Sequence, residues 1–329
     1  MPEFELEDEN FSEIRQRPEI SETLKVLEGL TEPTSSAISY GLTDLSADEL
    51  AVLLPVWAGL DAEYRRSVVK ALVDVTETNI EFNYSALAEA ALNDADDGVR
   101  EAAIELLWED ESIALMDRLI EISLHDDAVL VRAAAANALG RFILSGELGD
   151  IPEEQTERAR QAAIALWENP DEDVEVRRRA LEAISNSSHD IVPEAIEQAY
   201  QSHDQRMQTS AIFAMGRSCD DRWAGHVLSE LENESPEFRY EAARAAGELE
   251  LEEAIPALSG LAFDRDVDIR DVAIWALGEI GGKEAVRVLT LLVNDAKSQG
   301  DRDLSESIED ALAAATLNSG DLYMMRFDD

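Results

Sequence analysis

From Asp171 to Gly282, apolar and small residues recur in fixed columns, each copy 31 residues after the one before. Setting Arg177, Gln208, Arg239 and Arg270 in register places Val176, Met207, Phe238 and Ile269 one position earlier. Ala180, Ala211, Ala242 and Ala273 follow three positions later, and Ala183, Ala214, Ala245 and Ala276 six later. Ser185, Gly216, Gly247 and Gly278 stand eight later. These spacings line one face of a helix. Ile196, Val227, Leu258 and Leu289 keep the same step and mark a preceding helix in each copy. One unit is therefore a pair of antiparallel helices. Neither helix buries its apolar stripe alone, so neighbouring pairs must stack, and a fixed period in this range is the signature of a solenoid.

Looser copies of the pattern surround Arg65, Arg100 and Arg132. Residues 1–18 form an acidic tail broken by Pro2 and Pro18, and residues 19–45 an N-terminal helical cap carrying Ile20, Leu24, Leu27 and Leu30. The array itself is expected over 46–316. It opens at Ser46-Ala47-Asp48-Glu49, a capping box, and Pro55 is expected to bend that helix or move its start. From Arg132 to Arg177 the spacing is 45, which is 14 more than the period, and Ser145–Glu153 reads as an inserted loop. After Arg270 the pattern weakens to Ser305, Ile308, Ala311 and Leu312, a C-terminal cap. The tail 317–329 carries Leu322–Phe327, apolar enough to dock on that cap or on another chain. Four positions before the arginine stand Asp61, Asp96, Asp173, Asp204, Asp266 and Asp301, with Ser235 in the remaining regular copy. These are N-cap residue types. The arginines are expected to bridge to an Asp of their own or the adjacent unit.

The run from Asp266 through Ile269-Arg270 to Ala273, Ala276, Leu277 and Gly278 resembles HEAT repeats of the type first described in phycobilisome lyases. The resemblance covers about residues 60–316. It implies an all-α fold, a right-handed α-α superhelix of about seven helical pairs plus caps, with the second helix of each unit on the concave face. It specifies the repeat and not the function, since such repeats serve scaffolds, adaptors, transport receptors and a few enzymes.

Charge narrows the choice of partner. With 72 acidic against 27 basic residues, the formal net charge is −45, and only four of the basic residues are lysines. Such a field repels a phosphate backbone, which argues against nucleic acid, including the basic-groove chemistry of HEAT-like DNA glycosylases. Basic proteins are the natural partners. Salt adaptation or high solubility is the plainer reading of the same acidity. No apolar run approaches the roughly 18 residues that cross a membrane. Cys219 is the only cysteine and the start lacks a secretory pattern, so a cytoplasmic protein is expected.

If the small-residue columns face the core, the positions one and five after the arginine face away from it. In the early units charges dominate this stripe, Arg66, Lys70, Glu101, Glu105, Arg178 and Glu182 beside Ala133 and Asn137; in the last three, aromatics dominate, with Phe213, Tyr240, Arg244 and Trp275 beside Thr209 and Asp271. Aromatic residues and Arg are the types that anchor interfaces, so these four are the candidate partner-binding patch. Burial against adjacent helices is the competing reading. Trp108, eight after Arg100, is a fifth candidate, with a core or cap role as its alternative.

His125-Asp126, His189-Asp190 and His203-Asp204 invite comparison with HEAT-like deoxyhypusine hydroxylases, which hold a di-iron centre through His-Glu pairs. These pairs are His-Asp, do not recur at one repeat position, and read as turn and cap residues. Asp264, Asp266 and Asp268 begin like a calcium loop, but Ile269 stands at its glycine and Trp275 at its closing glutamate. The sequence therefore points to no cofactor, metal or catalytic residue. The function expected is a scaffold or adaptor holding a protein partner. A lyase-like or chaperone-like accessory factor is the alternative, and a HEAT-repeat metal enzyme the third reading.

Overall fold

A computed structural model describes residues 17–79 and 81–318. The chain divides there into two compact units, one up to Ser112 and one from Ile113 onward. The first holds α1 (Ile20–Glu28), α2 (Ser36–Leu42), α3 (Ala47–Gly59), α4 (Ala62–Thr78), α5 (Ser85–Ala91) and α6 (Asp97–Leu106). The second begins with α7 (Ile113–His125), α8 (Val129–Glu147), α9 (Glu153–Glu168), α10 (Val174–Ile184), α11 (Ile191–Tyr200) and α12 (Gln205–Arg217). It ends with α13 (Ala224–Glu230), α14 (Pro236–Glu248), α15 (Ile255–Leu261), α16 (Val267–Ile280), α17 (Gly282–Gln299) and α18 (Arg302–Asn318). No strand occurs among the described residues. The acidic tail up to residue 16 and the apolar run Leu322–Phe327 lie outside them.

The columns are the core. Ala180, Ala211, Ala242 and Ala273 are wholly buried, and so are Ile196, Val227, Leu258 and Leu289 of the preceding helices. Each fully buried Val, Leu or Ile contributes about 1.5–3 kcal/mol. The glycine column explains how closely the second helices approach. A methyl group on Gly216 would lie 2.7 Å from Ala245 Cα, one on Gly247 2.9 Å from Ala276 Cα, and one on Gly278 3.1 Å from Ala311 Cα. A residue eight after the arginine thus meets the residue six after it in the next unit.

Caps start these helices where the columns place them. Asp61, Asp96, Asp173, Asp204 and Asp266 each accept a hydrogen bond from a backbone N–H of the first turn, and Ser46 and Glu49 close a reciprocal capping box. Ser235 departs from the pattern: its hydroxyl turns to the Glu237 carboxylate at 2.5 Å and makes no cap bond. Pro55 sits inside α3. Two of the arginines bridge to an Asp of the adjacent unit, Arg65 to Asp94 at 2.7 Å and Arg239 to Asp264 at 3.2 Å, whereas Arg132 pairs with Glu172, Arg177 donates to the Trp167 carbonyl and Arg270 pairs with Asp271 beside it. Arg100, Arg132 and Arg239 also donate to the carbonyl six residues back, where the helix dipole welcomes a cation near the preceding helix end.

Two expectations change. The 14 extra residues between Arg132 and Arg177 do not all form a loop: α8 runs on through Ser145 to Glu147, leaving only Leu148–Pro152 between helices. Gly146 permits this, because α9 packs Thr156 directly against it. Among the described helices, α8 is also long and apolar enough to cross a membrane. It packs on α7, α9 and α10 with Phe142 and Ile143 buried, as a core helix does.

Candidate functional site

In the second unit α8, α10, α12, α14, α16 and α18 each touch the next, so residues sharing a column become neighbours across the stack. The position five after the arginine gives Glu182, Phe213, Arg244 and Trp275 in succession; the position one after gives Arg178, Thr209, Tyr240 and Asp271.

At the α10 end the charges satisfy one another. Glu182 is buried, and its carboxylate accepts from Ser210 Oγ at 2.5 Å, from Arg178 Nη1 at 3.2 Å and from Arg179 Nη1 at 2.8 Å. One step along, the Arg244 guanidinium lies over the Phe213 ring, its Cζ 3.9 Å from the centroid. Glu241 accepts from Arg244 Nε at 2.9 Å and Glu248 from its Nη1 at 2.8 Å. Arg217 approaches the same ring at 5.8 Å and pairs with Glu248 at 3.3 Å. Phe213 is therefore half-buried beneath two arginines, and Arg244 is pinned in place rather than extended into solvent.

Tyr240 and Trp275 are placed differently. Trp275 is 40% exposed. Its ring edge rests on Gly247, where a methyl group would come within 2.9 Å of Cζ3. Tyr240 is half-exposed, and its hydroxyl has no hydrogen-bond partner among the described residues. Together with Arg217, Arg244, Asp268 and Asp271 they border a shallow groove of about 400 Å³. Phe213, Tyr240, Arg244 and Trp275 are thus brought onto one face. Trp108 belongs to the first unit, 46% exposed, with Nε1 donating to Thr76 Oγ1 at 3.2 Å.

The carboxylates that hold Arg244 titrate unusually. Burial pushes Glu241 above the ordinary glutamate value, although Arg244 pulls it back; burial does the same to Glu248 against Arg244 and Arg217. Between the ordinary value and the raised one, the folded protein binds more protons than the unfolded chain, so stability from these two groups falls as pH rises through that window. Unfolding free energies of wild type and Glu241→Gln, measured from pH 4 to 8, are expected to diverge accordingly. The wild type should lose stability relative to the variant as pH rises, and a constant difference would refute the shift.

The His-Asp pairs scatter. Asp126 accepts from the Ala128 N–H, Asp204 caps α12, and His189 Nδ1 accepts from the Ile191 N–H at 3.2 Å. The sequence did not reveal that His189 shares a polar cleft with Cys219, Asp220 and His226, residues separated along the chain and drawn together at the ends of α11 and α13. No group of three His, Cys, Asp or Glu among the described residues is arranged to hold a metal ion. Asp264 and Asp266 are engaged as turn and cap acceptors.

A family model described as HEAT repeats matches residues 224–312, the segment that contains Tyr240, Arg244 and Trp275. Comparison with the curated proteins finds no match. Among solved structures, the chain is similar to YibA of Escherichia coli, at 18% identity and a TM-score of 0.44, over 88% of this chain and 97% of that one. It is also similar to the complex of CpcE and CpcF of phycocyanin lyase from Nostoc sp. PCC7120, at 20% identity and a TM-score of 0.44, over 70% and 94%. A third similarity is to importin beta, at 15% identity and a TM-score of 0.44, over 90% of this chain and 47% of that one.

Proposed function

We propose that this chain, a HEAT-repeat protein, is a scaffold or adaptor that holds a protein partner on the face formed by α12, α14 and α16. The observation that carries the reading is the groove between Tyr240 and Trp275, two large aromatic side chains left partly open beside the paired charges around Arg244. Tyr and Trp at the centre of a contact supply large apolar area with little conformational freedom to lose, and are the residues on which interfaces concentrate their energy. The net charge of −45 favours a basic partner and speeds its encounter, with a rate that falls as salt rises.

The test uses the tagged full chain and its Tyr240→Ala/Trp275→Ala form, each equilibrated with an extract of the host and analysed by quantitative mass spectrometry. A specific partner is expected to fall by about thirtyfold or more on loss of two anchors worth roughly 2 kcal/mol together. Equal capture by a variant of unchanged helicity would remove this face from the reading.

A further inference from the structure

We propose that the groove takes an arginine side chain from a basic segment of the partner, its guanidinium stacked on Trp275 beside Tyr240 and paired with Asp268 and Asp271. This rests on the protein-binding reading above and names its chemistry. The protein supplies its own precedent one unit earlier. There Arg244 covers the Phe213 ring at 3.9 Å and is held between Glu241 and Glu248, so aromatic face, cation and two carboxylates are grouped together.

Trp275 stands in the same column one helix on, and the residue that would cover it comes from α18. The register of α18 is fixed by packing. Gly278 meets Ala311 as Gly247 meets Ala276, which puts Ser305 in the arginine column and Asp310 in the column of Arg244 and Trp275. Where the preceding step of the stack has a guanidinium, this one has an exposed carboxylate. The indole is 40% exposed, and no cation lies over it among the described residues.

The surrounding charges select the occupant. Arg217 and Arg244 are neutralised by Glu248 and Glu241. The Asp268 and Asp310 carboxylates have no cationic partner among the described residues, and Asp271 meets only Arg270, at 3.2 Å, while half-exposed. An anion is therefore repelled and a cation attracted. A planar guanidinium can stack on the indole and reach a carboxylate from its edge in the same pose, which a lysine ammonium cannot do.

The probe is a fluorescein-labelled peptide of three arginines separated by glycines, with the same peptide carrying citrulline as its uncharged, equally planar control. Affinity is read by fluorescence anisotropy for the full chain. Against wild type, Asp268→Asn/Asp271→Asn and Trp275→Ala are each expected to weaken binding about five- to tenfold, as loss of a partly exposed cation–aromatic or ionic contact of about 1 kcal/mol would. Trp275→Phe should recover most of the loss. Glu154→Gln/Glu168→Gln removes the same charge from exposed sites on α9 and should change affinity less than twofold. Equal weakening in the α9 variant would show that the peptide feels only the overall field, and equal binding by Trp275→Ala or by the citrulline peptide would likewise overturn the proposal. If the host partner is still lost on Tyr240→Ala/Trp275→Ala while the arginine peptide ignores the groove, the scaffold reading stands and the arginine reading falls. If the peptide obeys the groove and no host protein does, the failure lies in the scaffold reading.

Discussion

Replacing Asp94 by alanine is expected to lower the unfolding free energy by about 3–5 kcal/mol, the range for breaking one side of a buried ion pair. Asp94 lies in the turn between α5 and α6. Its Oδ1 accepts from Arg65 Nη2 at 2.7 Å and from the Asp96 N–H at 2.9 Å; its Oδ2 accepts from Arg65 Nε at 2.9 Å and Trp57 Nε1 at 3.2 Å. Both partners are almost fully buried, with 9% of the Arg65 side chain and 6% of the Asp94 side chain exposed. Alanine would leave the guanidinium and the indole N–H without their acceptor in a site that water barely reaches. The cost is that of the orphaned groups more than of the lost attraction. Arg65→Met/Asp94→Leu should therefore be less harmful than Asp94→Ala alone, a difference that urea unfolding curves would expose.

The same carboxylate also sets an acid limit. Burial raises its pKa, but the Arg65 hydrogen bond and charge, with the Asp96 N–H, outweigh that and hold it below the ordinary aspartate value. Its stabilising contribution is complete above the unfolded value and is lost as pH falls through the lowered one. Glu241 and Glu248 run the other way.

Why the columns were legible and Asp94 was not follows from distance along the chain. A buried alanine column depends on one helix's own periodicity and on a repeat that copies it, so Ala180, Ala211, Ala242 and Ala273 announce themselves. Caps are equally local. Asp94 stands six before Arg100, with Asp126, Asn233 and Asp264 in the same column, and each of those four accepts from the N–H two residues on. That column was present in the sequence but hidden by the cap beside it. The partner of Asp94 is 29 residues away, in a part of the chain where the period is irregular.

The candidate site was half legible for a related reason. Column arithmetic could place Phe213, Tyr240, Arg244 and Trp275 on one face, but all four then looked alike. What separates them is the neighbouring helix: α14 brings an arginine over Phe213, and α18 brings Asp310 to the corresponding step beyond Trp275. Cys219 and Glu250 show the same limit in the backbone. Both adopt positive φ, 48° and 50°, in the column where Gly281 has 63°, and neither residue type advertises a left-handed conformation.

A single substitution, glycine to alanine, is expected to act with opposite sign at two positions of this array. At Gly216 the added methyl group would meet the Glu248 carboxylate and lie 2.7 Å from Ala245 Cα, so that carboxylate must shift and α12 and α14 must move apart to admit it. Overpacking of that kind costs about 1–3 kcal/mol. The reduced freedom of the unfolded chain returns only about 0.4–1 kcal/mol, and the variant should be less stable. At Gly260, exposed in α15, nothing lies within 4 Å of the same methyl group, so only the helix preference and the unfolded-chain term remain. Gly260→Ala should therefore gain up to about 1 kcal/mol, and urea midpoints of the two variants should fall on either side of wild type. Trimming the neighbour tests the cause. Because Ala245→Gly would remove the methyl group at 3.0 Å but neither the α14 Cα at 2.7 Å nor the Glu248 carboxylate, it should restore only part of the stability. Full recovery in Gly216→Ala/Ala245→Gly would mean that side-chain crowding, and not the approach of the two helix backbones, sets the spacing of the units.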